Sequence, residues 1–224
     1  MERTSVRSAR GRRGSRPSGD DRELAILATA EALLGERALS EISIDDLARG
    51  AGISRPTFYF YFPSKDAVLL ALLDRVIAQA ETTSLGFLDH LPDDPARHWR
   101  SAINAFYESF GAHRAVALAC AQARRTNPEV QRLWAAVMGT WVDRTATAIQ
   151  AERDRGAAPD GIPARDLALV LNSMNERVLH AVFAAEEPAL AEADAVDTLL
   201  QVWLSSIYST YVTTYGSEVP ATER

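Results

Sequence analysis

Cysteine is nearly absent from this chain. Cys120 stands alone, so an intrachain disulfide is impossible and a cysteine metal cluster is excluded. The four histidines, His90, His98, His113 and His180, do not fall at metal-ligand spacing, and no HExxH is present. A P-loop, a dinucleotide fingerprint and a nucleophile elbow are also missing, so no metal and no cofactor is expected. Lysine occurs once, as Lys65, while alanine and arginine abound, a bias that suggests a high-GC genome and says nothing of mechanism. No apolar run is long enough to span a bilayer, and the Arg-rich N-terminus has no apolar stretch behind it. A cytoplasmic protein with no membrane partner is expected. Strand-like alternation is too short to trust, and there is no internal repeat.

What remains is an all-α pattern on a chain of 224 residues, long enough for one or two domains with a sizeable core. The net charge of −6 hides a split. Residues 1–19 hold six arginines, among them Arg12, Arg13 and Arg16, against the single acid Glu2, which makes the segment +5 and leaves −11 on the rest. A basic arm on an acidic body suits a protein that touches phosphates at one end, although a solvated, disordered tail has the same composition.

The most informative stretch runs from Leu47 to Phe62. It reads as two short helices joined by a glycine turn. Gly52 stands where a positive φ is cheap only for glycine, and Ala48, four residues earlier, keeps the crossing helices close. Leu47, Ala51, Ile53, Phe58 and Tyr61 supply the apolar contacts. This is the spacing of a helix-turn-helix, whose second helix enters the DNA major groove. Asp20 or Asp21 opens a preceding helix to about Glu36, with Leu24, Leu27, Ala28, Ala30, Leu33 and Leu34 on its apolar side. Ser43 and Asp46 form a capping box for the second helix. Ser54 caps the third, with Pro56 in its first turn, and Ser64 caps a long fourth. Breakers beyond it leave helices at about 95–112, 114–124, 127–154, 163–186 and 189–215. The expected organisation is an arm over 1–19, a helix-turn-helix domain over 20–66, a second helical domain over 67–215 and a loose tail over 216–224.

Within the third helix, Thr57 can offer a methyl to thymine or a hydroxyl to phosphate. Arg55 and Lys65 can pair with phosphates, and the caps at Ser54 and Ser64 expose backbone N–H groups suited to an anion. Tyr59 and Tyr61 bring aromatic surface with a polar tip, while Phe58, Phe62 and one of Phe60 and Tyr61 belong to the core. With no Asn, Gln or second Arg for bidentate readout, placement on phosphates, DNA shape and the arm must carry much of the recognition.

Three helices of the second domain carry stripes. Trp99, Phe106 and Phe110 share one face; Trp134, Met138, Trp141 and Thr145 share another; Asn172, Asn175, Glu176 and Leu179 share a third, and Trp203 comes from the last helix. Aromatic stripes are most often plain core. Two amides and a carboxylate on one face, however, are costly to bury unpaired, and apolar walls with a few convergent polar groups are what a small-molecule pocket needs.

The helix-turn-helix, the TFYFYF run and the Pro-Ser-Lys that opens a long helix resemble the TetR family of transcriptional repressors, from about Ser18 to Tyr208. The resemblance implies a homodimer that blocks transcription on double-stranded operator DNA and lets go when a hydrophobic effector fills the second domain. Whether one dimer or several occupy an operator is left open. The striped residues match the ligand-lining positions of one branch of the family. In that branch Asn175 would hydrogen-bond an amide or ester group, Asn172 would assist, and a flavin monooxygenase gene is the target. The branch has a tyrosine where this chain has Arg144 and a phenylalanine where it has His180, so ligand identity transfers less well than the pocket. Dimer contacts are expected from Leu167, Val170, Leu171, Val178, Val182, Leu199, Val202, Ile207 and Tyr208, some of which belong to the core of one copy.

Other readings are a transcriptional activator of the same fold, a helical interaction protein that binds no DNA, and a small enzyme using Glu176 and His180 as an acid/base pair at i, i+4. Removing residues 1–19 is expected to weaken operator binding and flatten its dependence on salt in gel-shift titrations. An unchanged salt slope would mean that the arm does not touch DNA.

Overall fold

A computed structural model describes residues 19–84 and 91–209. Arg12, Arg13 and Arg16, residues 211–215 and the tail over 216–224 lie outside the described part. Within that part the regular structure is helical: α1 (Gly19–Leu34), α2 (Ile44–Gly50), α3 (Arg55–Tyr61), α4 (Lys65–Ser84), α5 (Pro95–Ala112), α6 (Arg114–Ala123), α7 (Pro128–Asp154), α8 (Ala164–Ala184) and α9 (Ala195–Tyr208). Short 3-10 turns at Leu39–Glu41 and Glu192–Asp194 precede α2 and α9.

The expected caps form. The Ser43 hydroxyl accepts from the Asp46 N–H at 3.1 Å, and the Ser43 N–H donates to the Asp46 carboxylate at 3.0 Å. The Ser43 hydroxyl, which donates to the same carboxylate at 2.7 Å, and then the Ser43 N–H hold Asp46 below the ordinary carboxylate range, with a smaller contribution from Arg37 at 3.2 Å. Ser54 accepts from the Thr57 N–H at 3.3 Å and Ser64 from the Ala67 N–H at 3.1 Å. Gly52 adopts φ +67°, and at Gly50 a Cβ would lie 2.3 Å from the Thr29 methyl, so α2 sits directly on α1. Asp94 and Asn127 cap α5 and α7.

Two expectations for the helices need correction. The buried arc of α1 is Ile26, Leu27 and Ala30, with Leu33 and Leu34 packed beside it, whereas Leu24 and Ala28 face outward. Alanine and leucine surround so much of this helix that its pattern does not fix which arc is buried; packing against α2, α4 and α6 does. The last helix runs from Ala195 to Tyr208 instead of 189–215, because the backbone is extended at Ala191 (ψ 138°) before it and at Ser209 (ψ 137°) after it. Helix-favouring residues alone do not hold a helix without a packed face.

Packing joins the two halves. One continuous apolar cluster runs from Ile26 and Phe58 through Leu69, Leu73 and Val76 to Trp99, Ile149, Leu179 and Trp203. α4 is its spine, lying against α1 on one side and against α5 and α6 on the other. At the N-terminus of α4 the Lys65 ammonium donates to three carbonyls of the segment that leads into α2: Leu39 (2.7 Å), Ser40 (3.2 Å) and Ile42 (3.1 Å). A second tie is the contact of His113, between α5 and α6, with Glu31 of α1.

A buried polar chain braces the opposite end of the molecule. Trp99 Nε1 donates to the Tyr208 hydroxyl (3.0 Å), which donates to Glu152 (2.9 Å), and Glu152 also receives two bonds from Arg155 (2.7 and 2.6 Å). Glu152 is 1 % exposed. Burial alone would raise its pKa, but the hydrogen bonds from Arg155 and Tyr208 and the guanidinium charge outweigh it and hold the carboxyl below its ordinary range. With the folded pKa below the unfolded one, this stabilisation is present above the unfolded pKa and is lost as pH falls through the folded one. Glu152→Gln is expected to lower stability at pH 7 by about 1–3 kcal/mol. The gap to the parent should shrink towards pH 4 in urea unfolding; a gap independent of pH would mean that the carboxylate charge is not involved.

Candidate nucleic-acid interface and ligand chamber

The exposed side of α3 is the surface that a DNA groove would meet. Ser54, Arg55, Pro56, Tyr59 and Phe60 face outward, Thr57 and Tyr61 are half-buried, and Phe58 and Phe62 are core as expected. Between Phe60 and Tyr61 the core takes Tyr61, which packs on the apolar cluster, while Phe60 is 84 % exposed. Phe60 is the functional candidate that the sequence reading missed; its ring meets the edge of Tyr61 (centroids 5.3 Å) and is otherwise bare on a short helix. The Thr57 and Ser54 hydroxyls lie 2.8 Å apart. Arg55 meets the Asp45 carboxylate at 2.9 Å, reaches the Tyr59 hydroxyl at 3.5 Å and stacks over its ring. Its charged form is favoured first by the Tyr59 hydrogen bond and then by Asp45. Ser64 caps α4 and is half-buried. Lys65 departs from the expectation of a phosphate contact, because its ammonium is occupied by the three carbonyls that it clamps.

The striped residues of the second half separate into two adjoining cavities. The larger, of about 90 Å³, is walled by Trp99, Phe106, Trp141 and Trp203 and carries Arg144, Thr145, Asn172 and Asn175. The smaller, of about 40 Å³, is bounded by Phe106, Phe110, Trp134, Glu176, Leu179 and His180. Phe106 is common to both. It stacks on Phe110 (centroids 4.5 Å) and meets Trp141 edge-on (5.0 Å), so an aromatic partition separates the two spaces. Met138 lines neither cavity. The sequence reading missed Ala80, Ala102 and Ile103 in the first wall and Cys120, Arg124 and Phe183 in the second. Ile103 lies one turn after Trp99, a spacing that could have revealed it.

Most of the polar groups in these walls have protein partners. Trp203 donates to Asn175 Oδ1 at 3.0 Å. An indole N–H can only donate, which fixes the amide orientation and turns the Asn175 nitrogen away from Trp203. Asn172 donates to Thr145 (3.1 Å) and to the Ala168 carbonyl (2.9 Å). Glu176 is paired with Arg124 at 2.6 Å, and His180 faces Glu186 at 3.3 Å. The acid/base couple that an enzyme reading needs is therefore not assembled, since each member is committed to a different group. Cys120 is buried, and burial pushes its thiol up to about 12, which keeps it neutral and unreactive.

Of the expected dimer contacts, Leu167, Leu171, Val182, Leu199 and Ile207 are buried within one copy and belong to its own core. Val170 (63 % exposed) and Val202 (39 %) remain on the surface of α8 and α9, joined by Leu169. Val178 and Tyr208 are half-buried.

Comparison with known proteins agrees with this geometry. Residues 26–72 match the model of bacterial regulatory proteins of the tetR family, and residues 99–209 match that of the C-terminal domain of the transcriptional regulator EthR. The HTH-type transcriptional regulator EthR of Mycobacterium tuberculosis is 60% identical over 201 residues, 89% of this chain and 93% of that protein. EthR of Mycolicibacterium smegmatis is 54% identical over 205 residues, 92% and 94% of the two chains. Among solved structures, NalD of Pseudomonas aeruginosa, a secondary repressor of a multidrug efflux pump, superposes with a TM-score of 0.69 over 87% of this chain and 100% of its own; at 18% identity it shares the fold.

Lys65→Met leaves the carbonyls of Leu39, Ser40 and Ile42 without their donor and is expected to destabilise the fold by about 1–3 kcal/mol. The salt slope of DNA binding should stay the same once the protein is folded. A slope reduced by about one would return Lys65 to phosphate contact.

Proposed function

The chain belongs to the TetR family as an EthR-like helix-turn-helix transcriptional regulator, and from that membership we propose that it is a ligand-responsive repressor working as a homodimer. The observation that carries this reading is the span of α4. Ala80, near one end, lines the larger cavity, and Lys65, at the other, clamps the turn that leads into α2.

On the operator, Arg55 exchanges Asp45 for a phosphate, the helix N-terminus at Ser54 offers N–H groups to another, and Thr57, Tyr59 and Tyr61 settle against the groove. Arg12, Arg13 and Arg16 add sequence-independent attraction. Two copies joined through α8 and α9, with Val170 and Val202 at the seam, set the recognition helices about 34–36 Å apart or a multiple of a turn. The effector is a small, largely apolar molecule. In this structure the cavities are smaller than the roughly 300 Å³ or more of a typical ligand site, so a bound molecule widens them by moving their walls, the Phe106 partition between them included. Asn175 gives that molecule a donor, and the aromatic walls hold its body. Filling the chamber pushes Ala80, and α4 carries the displacement to the DNA-binding half, selecting a spacing that no longer fits one operator. The resemblance to EthR points to a gene of monooxygenase type as the target.

A thermal melt with elongated amide-bearing hydrophobic compounds tests this reading. The parent protein should gain stability with ligand, by about 2.7 kcal/mol at a hundredfold excess over Kd, and release operator DNA in the same concentration range. Asn175→Leu should lose most of both responses. No shift for the parent, or an equal shift for both proteins, would remove the chamber from the mechanism.

A further inference from the structure

We propose that the effector carries an anionic group, a carboxylate in the simplest case, bound at the chamber rim by Arg144; this rests on the chamber being the effector site. Arg144 lies on α7, lines the larger cavity and is itself exposed. The acid beside it in sequence, Asp143, is held by Arg165 at 3.3 Å. Among the described residues no carboxylate stands within ion-pair distance of the Arg144 guanidinium.

The second cavity supplies the contrast. Arg124 lines that space too, but it is neutralised by Glu176 at 2.6 Å and lies over the Trp134 ring at 4.8 Å. One cavity therefore has a satisfied guanidinium and the other an open one. The larger cavity has no acidic residue in its wall. Two of its three indole donors are already used, Trp203 by Asn175 and Trp99 by Tyr208, while no described residue takes the Trp141 N–H. The groups left for a guest include that N–H, the amide nitrogen of Asn175, the amide oxygen of Asn172, whose nitrogen is already engaged, and the guanidinium of Arg144. Arg144 is the only charged group in this wall. A lone, unpaired cation at the rim favours an anionic acceptor there, with an apolar body against the tryptophans. A hydrogen bond to an ionised partner is about twice as strong as a neutral one, and a planar guanidinium matches a carboxylate with two parallel bonds.

Octanoate and octanamide share a chain and differ in charge, and they serve as matched probes in calorimetric titrations of the full-length protein. Octanoate should bind about tenfold or more tightly than octanamide at low salt, and the gap should narrow as salt rises. Arg144→Gln, at an exposed position, should weaken octanoate much more than octanamide and close the gap to within about twofold, with Arg144→Lys recovering part of it. Equal affinities in the parent, or a preference that survives Arg144→Gln, would overturn the proposal while leaving the chamber in place if Asn175→Leu still abolishes octanamide binding. If neither probe binds, the chamber reading fails and this proposal with it.

Discussion

α4 has to satisfy two sets of neighbours at once. Its apolar residues Leu69, Leu72, Leu73 and Val76 lie in a core that extends into both halves, and neither half could shed the helix without exposing that surface. Its first residue is fastened to three carbonyls of the DNA-binding half, and its Ala80 faces the chamber. A packed interior transmits strain poorly by bending and well by moving whole elements. Under the proposed function, a helix shared in this way is the physical route between a filled chamber and a displaced recognition helix. The contact of His113 with Glu31 runs beside it and ties the junction of α5 and α6 to α1.

Most polar groups of the effector half are arranged so that each satisfies another. The indoles of Trp99 and Trp203, placed 5.2 Å apart, have separate acceptors, Tyr208 and Asn175. Tyr208 in turn rests on a buried carboxylate that is neutralised by Arg155. The walls are held in position before any guest arrives, which lowers the entropic cost of binding. The aromatic partition is the exception. Phe106 contacts Phe110 and Trp141 through rings alone, so it can turn aside without breaking a hydrogen bond.

The sequence displayed the helix-turn-helix well, because its signals are local. A serine with an acid three residues on, a glycine in a forced turn and a proline in a first turn act within one or two turns of chain. The caps at Ser43, Ser54 and Ser64 formed where spacing placed them. What depended on distant neighbours was harder to see. The buried arc of α1, the choice between Phe60 and Tyr61, and the division of the striped residues into two cavities are all set by contacts between elements far apart in sequence. Lys65 shows the same limit: a lone lysine after a helix cap suits a phosphate, and only the fold brings Leu39, Ser40 and Ile42 to its ammonium.

All four tryptophans of the chain belong to the effector half: Trp99, Trp141 and Trp203 around the larger cavity and Trp134 at the smaller. The DNA-binding half carries tyrosine and phenylalanine but no indole. Indole emission responds to local polarity and to quenching by adjacent groups. The intrinsic fluorescence of this protein is therefore a built-in optical probe of one compartment, silent about the other, and needs no added dye to follow occupancy in real time.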